Sequence, residues 1–93
     1  MALGEGIALL NGKAVRKVIE AQMRAVAKEQ GRRLARLHDD LPLLDSGLDS
    51  LCFAILVVRL EDELGVDPLG ESEAEEPPKT YGEFIQLYVD ALA

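Results

Sequence analysis

The chain has 93 residues, 48% of them hydrophobic, a length and composition that fit one folded domain and exclude wholesale disorder. Aromatic residues make up 4%, with no Trp, which is too few for a nucleic-acid binder that works by stacking bases. The net charge of −7 is uneven: residues 1–38 hold eight basic and three acidic residues, residues 39–93 hold two and fourteen, so the second part is expected to attract basic partners and to repel nucleic-acid phosphates.

The start of the chain has only a short apolar patch, residues 7–10, with no basic residue before it, so it is not expected to be a signal peptide. No apolar run approaches the length that crosses a bilayer. Asn11 is a plausible N-cap, and residues 12 to about 30 read as the first helix. Its apolar positions Val15, Val18, Ile19, Met23, Val26 and Ala27 fall three and four apart and form one stripe, with Gln22 at its edge. Arg16, Lys17, Glu20, Arg24 and Lys28 take the other side, and Gly31 is a natural stop.

A long connection follows over residues 32–49, with Pro42 and Gly47 opposing a continuous helix. Leu34, Leu37, Leu41, Leu43 and Leu44 are expected to pin it to the core. The second helix is expected over residues 50–64, capped by Asp49 or Ser50 and ended by Gly65. Asp67, Pro68 and Gly70 read as a turn, and the acidic residues 71–76 as room for a short helical turn. Thr80-Tyr81-Gly82-Glu83 has the form of a capping box that opens a last helix over residues 81–92, with Phe84, Ile85, Leu87, Tyr88, Val89 and Leu92 on its apolar side. No segment alternates like a strand. The expected fold is all-α: three main helices, a possible short fourth, and a long loop between the first two.

The second helix carries two apolar sets. Phe53, Val57, Leu60 and Leu64, with Leu56 at the edge, are expected to face inward. Leu51, Ile55 and Val58 form a second set, and Asp62 continues its line. Either the helix is buried all round or this set is a partly exposed contact patch beside Ser50.

Little else in the chain suits catalysis. A nucleophilic serine needs a base and an orienting group, and the single histidine, His38, has no companion motif. The spacing of a nucleophile elbow is absent, because Leu48 and Cys52 stand where glycines would. One Cys and one His offer no zinc spacing, and the acidic runs lack the periodicity of a calcium loop. Cys52 reads as a small packed hydrophobe, and a lone cysteine fits a reducing cytoplasm. Lys28, Arg32, Arg33 and Arg36 make a basic cluster that reads as a solvated face.

Residues 43–51, Leu-Leu-Asp-Ser-Gly-Leu-Asp-Ser-Leu, together with the run from Arg59 to Val66, resemble the acyl carrier and peptidyl carrier proteins. That resemblance implies a carrier-protein bundle spanning residues 1–93 as a single domain. It implies a 4′-phosphopantetheine arm on Ser50, delivered from coenzyme A by a separate phosphopantetheinyl transferase. The thiol of the arm would hold an acyl or aminoacyl group as a thioester, and the chain would not itself be an enzyme. Asp49 matches an acid that in such proteins helps to engage the transferase and its magnesium. Leu51, Ile55 and Val58 would be read by partner enzymes, with Glu61, Asp62 and Glu63 steering basic surfaces. Cys52 and Ile55 replace acids of the fatty-acid pattern, and Arg59 interrupts the acidic face. These departures point away from the fatty-acid pathway and toward a specialised member loaded by a dedicated adenylating ligase, with fatty-acid and secondary-metabolite biosynthesis both left open. The expected form is a cytoplasmic monomer that binds neither nucleic acid nor membrane. A helical interaction module without a prosthetic group is the competing reading.

Overall fold

The periodicity of the first apolar stripe becomes α1 (Gly12–Glu29) in a computed structural model that describes residues 12–71 and 77–92. Val15, Ile19, Met23, Val26 and Ala27 are buried and Val18 is half-buried, so one face of the helix carries the contacts. The N-cap expected at Asn11 lies outside the described residues. At the other end Gly31 adopts φ 67°, the Arg32 N–H donates to the Ala27 carbonyl at 2.7 Å, and the Gly31 N–H donates to that of Lys28 at 3.3 Å. This double closure satisfies carbonyls that the end of a helix otherwise leaves bare.

α1 is the hub: α2 (Ser50–Leu64) and α4 (Tyr81–Leu92) both pack against it, and the short α3 (Pro68–Glu71) packs on α4. Large side chains fill the space between α2 and α4. The Phe53 ring meets Phe84 edge-on at 6.1 Å, and Phe84 lies 5.3 Å from Tyr88. The buried line of α2 is Cys52, Leu56, Leu60 and Leu64. This corrects the expected inward set, since Phe53 and Val57 are only half-buried and Cys52 takes an inward place. A second tie joins α1 to α2, where Arg59 pairs with Glu29 and also donates to Gln22 at 3.3 Å.

The connection over residues 30–49 contains one short 3-10 turn, Leu43–Asp45. Leu41 is buried, while Leu34, Leu37 and Leu43 pack partly against the core. Leu44 departs from expectation: it is 95% exposed, because the 3-10 turn directs its neighbour Leu43 toward the core instead. The loop is stitched to the start of α4 by an antiparallel bridge between Pro42 and Thr80. The Leu43 N–H donates to the Lys79 carbonyl at 2.8 Å, Tyr81 to Leu41 at 2.9 Å and Gly82 to Asp39 at 3.0 Å. A Cβ on Gly82 would stand 3.0 Å from both the Asp39 carbonyl oxygen and its Cβ, so a larger residue there would push the loop outward by a few tenths of an ångström.

Two further local features differ from expectation. Asp67, Pro68 and Gly70 do not form a simple turn; Pro68 opens α3, consistent with the preset φ of proline at a first helical position. That helix ends at Glu71, and residues 72–76 lie outside the described residues. In α4 the hydroxyl half of the capping box is present, with the Glu83 N–H donating to Thr80 Oγ1 at 3.2 Å. The Glu83 carboxylate returns to the N–H of Lys79 at 2.8 Å rather than to that of Thr80. Burial without a hydrogen-bond partner among the described residues pushes the Tyr88 phenol up to about 12.

Leu56 is fully buried between the helices and Leu44 is fully outside them. Leu56→Ala is therefore expected to destabilise the fold by about 2–5 kcal/mol in urea unfolding followed by circular dichroism. Leu44→Ala should change stability by no more than about 0.5 kcal/mol.

Candidate functional site at the start of the second helix

The chain reaches α2 through a tight approach between two loop segments. Gly47 has φ 97°, and a Cβ there would fall 2.1 Å from the Arg33 carbonyl oxygen. Only glycine fits both the backbone angle and the space. Beside it, the Ala35 N–H donates to the Ser46 carbonyl at 2.8 Å. The fully buried Ser46 donates its hydroxyl to the Leu43 carbonyl at 2.7 Å and accepts from the Leu48 N–H at 3.3 Å. Leu48 itself is buried. Residues 33–35 thus run alongside residues 46–47, and the backbone that precedes Ser50 is held on both sides.

Asp49 is the N-cap of α2. Its backbone is extended, at φ −96° and ψ −175°, and its Oδ1 accepts from the Cys52 N–H at 2.9 Å. Its carbonyl accepts from the Phe53 N–H at 3.0 Å. Arg32 forms an ion pair with the second carboxylate oxygen. The hydrogen bonding from Cys52, and then the Arg32 charge, hold the Asp49 carboxyl below its ordinary value.

With the cap supplied by Asp49, Ser50 falls at the first helical position. Its side chain is exposed, and no hydrogen bond among the described residues engages it. His38 is exposed on the loop, and among the described residues it makes no hydrogen bond to Ser50. Among the described residues, no group of three or more His, Cys, Asp or Glu side chains is placed to hold a metal ion. No helix of the described residues is long and apolar enough to cross a membrane.

From Ser50 the exposed edge of α2 carries Leu51 and Val58, 61% and 65% exposed, with Ile55 half-buried between them. The helix is therefore not buried all round. Glu61, Asp62 and Glu63 follow on its exposed last turns. Val58, Arg59, Glu61 and Asp62 line an open hollow on this face. Leu44 adds a further exposed apolar group from the loop.

Residues 22–68 match the family of the phosphopantetheine attachment site, a span that runs from the middle of α1 through the loop and α2. The chain belongs to this family, whose members include the acyl and peptidyl carrier proteins and hold 4′-phosphopantetheine covalently. No curated protein and no solved structure matches it at a significant level.

The residues at the start of α2 suit such a group. A phosphodiester there would meet backbone N–H groups that the cap leaves open and the favourable end of the helix dipole. Sequence reasoning missed two contributors. Ser46 stands in the Leu-Leu-Asp-Ser-Gly-Leu-Asp-Ser-Leu motif, but nothing in its neighbours marks it as a buried lock. Arg32 reads in sequence as one member of a solvated basic face, and its pairing with Asp49 depends on a loop path that local sequence does not encode. Lys28, Arg33 and Arg36 are exposed, as is Arg32 apart from its pairing with Asp49.

The cap is testable by substitution and by pH. Asp49→Asn keeps an accepting oxygen and should melt within a degree or two of the parent chain, whereas Asp49→Ala should melt several degrees lower. Because the folded-state pKa lies below the ordinary Asp value, the contribution of the charged cap is complete above the unfolded Asp range. It is lost as pH falls through the folded value. Melting temperatures followed below about pH 4 should fall more steeply for the parent than for Asp49→Asn.

Proposed function

We propose that the chain is a non-catalytic carrier whose Ser50 bears the 4′-phosphopantetheine arm. The observation that carries this reading is the exposed Ser50 hydroxyl. It is free of the capping role that Asp49 fills, and it lies inside the span that matches the family. In the attachment step, the Ser50 hydroxyl gives up its proton and its oxygen forms a phosphodiester. The pyrophosphate bond of coenzyme A breaks and the nucleotide half leaves. The terminal thiol of the arm would exchange its S–H bond for an S–acyl bond, the acyl or aminoacyl donor losing its leaving group, adenylate where an adenylating ligase does the loading. The chain supplies the anchor, a helix end that tolerates negative charge, and a face for partners.

That face is the Leu51, Ile55 and Val58 edge, flanked by Glu61 and Asp62. Apolar residues bordered by acids suit a transferase, a loading ligase and acyl-transfer enzymes that present basic surfaces. The departures from the fatty-acid pattern at Cys52, Ile55 and Arg59 favour a dedicated adenylating ligase and a specialised pathway. The unit of function on this reading is one carrier domain, working as a monomer in the cytoplasm, where the lone and buried Cys52 stays reduced.

Incubation with a phosphopantetheinyl transferase, magnesium and coenzyme A is expected to raise the intact mass by one phosphopantetheinyl group. Ser50→Ala should show no gain. Full modification of Ser50→Ala, or none of the parent chain by several competent transferases, would overturn the assignment. In a second measurement, Leu51→Glu and Val58→Glu should each lower kcat/KM for loading of the modified chain by about tenfold, the loss expected from a central apolar contact. Both variants should melt close to the parent, because both side chains are largely exposed.

A further inference from the structure

Arg32 is not on the helix that carries Ser50, yet the fold brings it there. Three observations fix its position. The double closure after α1 places Arg32 immediately beyond the left-handed Gly31. The Arg33 carbonyl seats against Gly47, and the Ala35 N–H bonds to Ser46, so the segment that follows runs beside the approach to α2. The Arg32 guanidinium then pairs with Asp49, the residue next to Ser50. It does so by one nitrogen, and the side chain remains 47% exposed.

A phosphodiester on Ser50 adds a negative charge next to one already present on Asp49. The helix N-terminus offsets part of that repulsion, and Arg32 is the cation placed at the same point. A guanidinium presents five donors in a planar fork and can accommodate a carboxylate and a phosphate oxygen together. Asp49 uses its other oxygen to cap the helix, so it need not release the helix for Arg32 to serve both anions.

We propose that Arg32 is a positioning residue for the arm: its guanidinium bridges the Asp49 carboxylate to the phosphodiester on Ser50 and orients the base of the arm against the loop. The inference rests on Ser50 being the attachment site. It gives the basic residue at the end of α1 a function toward the prosthetic group, distinct from the apolar and acidic face that meets partners.

The test compares unmodified and phosphopantetheinylated protein, with intact mass confirming the modification. In the parent chain the side-chain ¹⁵Nε–Hε resonance of Arg32 is expected to shift on modification, and high salt should reduce that shift. The ³¹P resonance of the modified chain should move in Arg32→Gln and lie between the two in Arg32→Lys, which keeps the charge but not the fork. Modification should also lower the melting temperature of Arg32→Gln by several degrees more than that of the parent. An Arg32 resonance that stays in place in a chain of confirmed modified mass overturns this inference and leaves the attachment reading intact. A chain that gains no mass overturns both. Should Arg32→Gln fail to fold, the parent comparison decides the matter alone.

Discussion

The capping of α2 by Asp49 is the interaction on which the site depends, because a helix start has more N–H groups than intrahelical acceptors and something must answer them. Ser and Asp compete for that task at this junction, and both are chemically able. The structure gives it to Asp49, whose Oδ1 takes the Cys52 N–H. Ser50 thereby falls one position into the helix, exposed and without a side-chain hydrogen bond among the described residues. Had Ser50 been the cap, its oxygen would be occupied by an N–H and less able to accept a covalent group. One hydrogen bond therefore separates a serine tied into the helix cap from one left open at the first helical position.

That hydrogen bond is held in place by a loop with little regular structure. Ser46 is buried and bonded at both ends of its short reach, Gly47 passes against the Arg33 carbonyl, and the Pro42–Thr80 bridge fastens the loop to α4. Backbone groups that would otherwise be unpaired are satisfied between segments far apart in sequence. The same stitching brings the end of α1 beside the start of α2. The three main helices thus act as a frame whose purpose is to present one junction in a fixed setting.

Charge is sorted around that frame. The acidic last turns of α2 are exposed, the basic residues follow α1, and Arg32 and Arg59 cross between the two regions by pairing with Asp49 and Glu29. Half-exposed pairs of this kind contribute little to stability. Their value lies in placement: Arg59 ties α1 to α2, and Arg32 puts a cation beside Asp49, next to the serine proposed to carry the arm.

The helices and most of their buried faces were legible in the sequence. Apolar spacing in α1 and α4, glycine stops at Gly31 and Gly65, and the capping signals at Asp49 and Thr80 all act within a turn or two of chain. The Asp-Ser-Leu junction and its family context were legible as well. What only the tertiary structure decided were matters of distance along the chain: which line of α2 faces inward, that Leu44 stands in solvent, and that Arg32 reaches Asp49; the choice of Asp49 over Ser50 as cap is local, but both residues suit it and the structure alone selects one. Local sequence encodes a residue's preference for helix, turn or core, because those preferences arise from neighbours three or four positions away. It does not encode the path of an irregular loop, which is set by backbone bonds to remote segments.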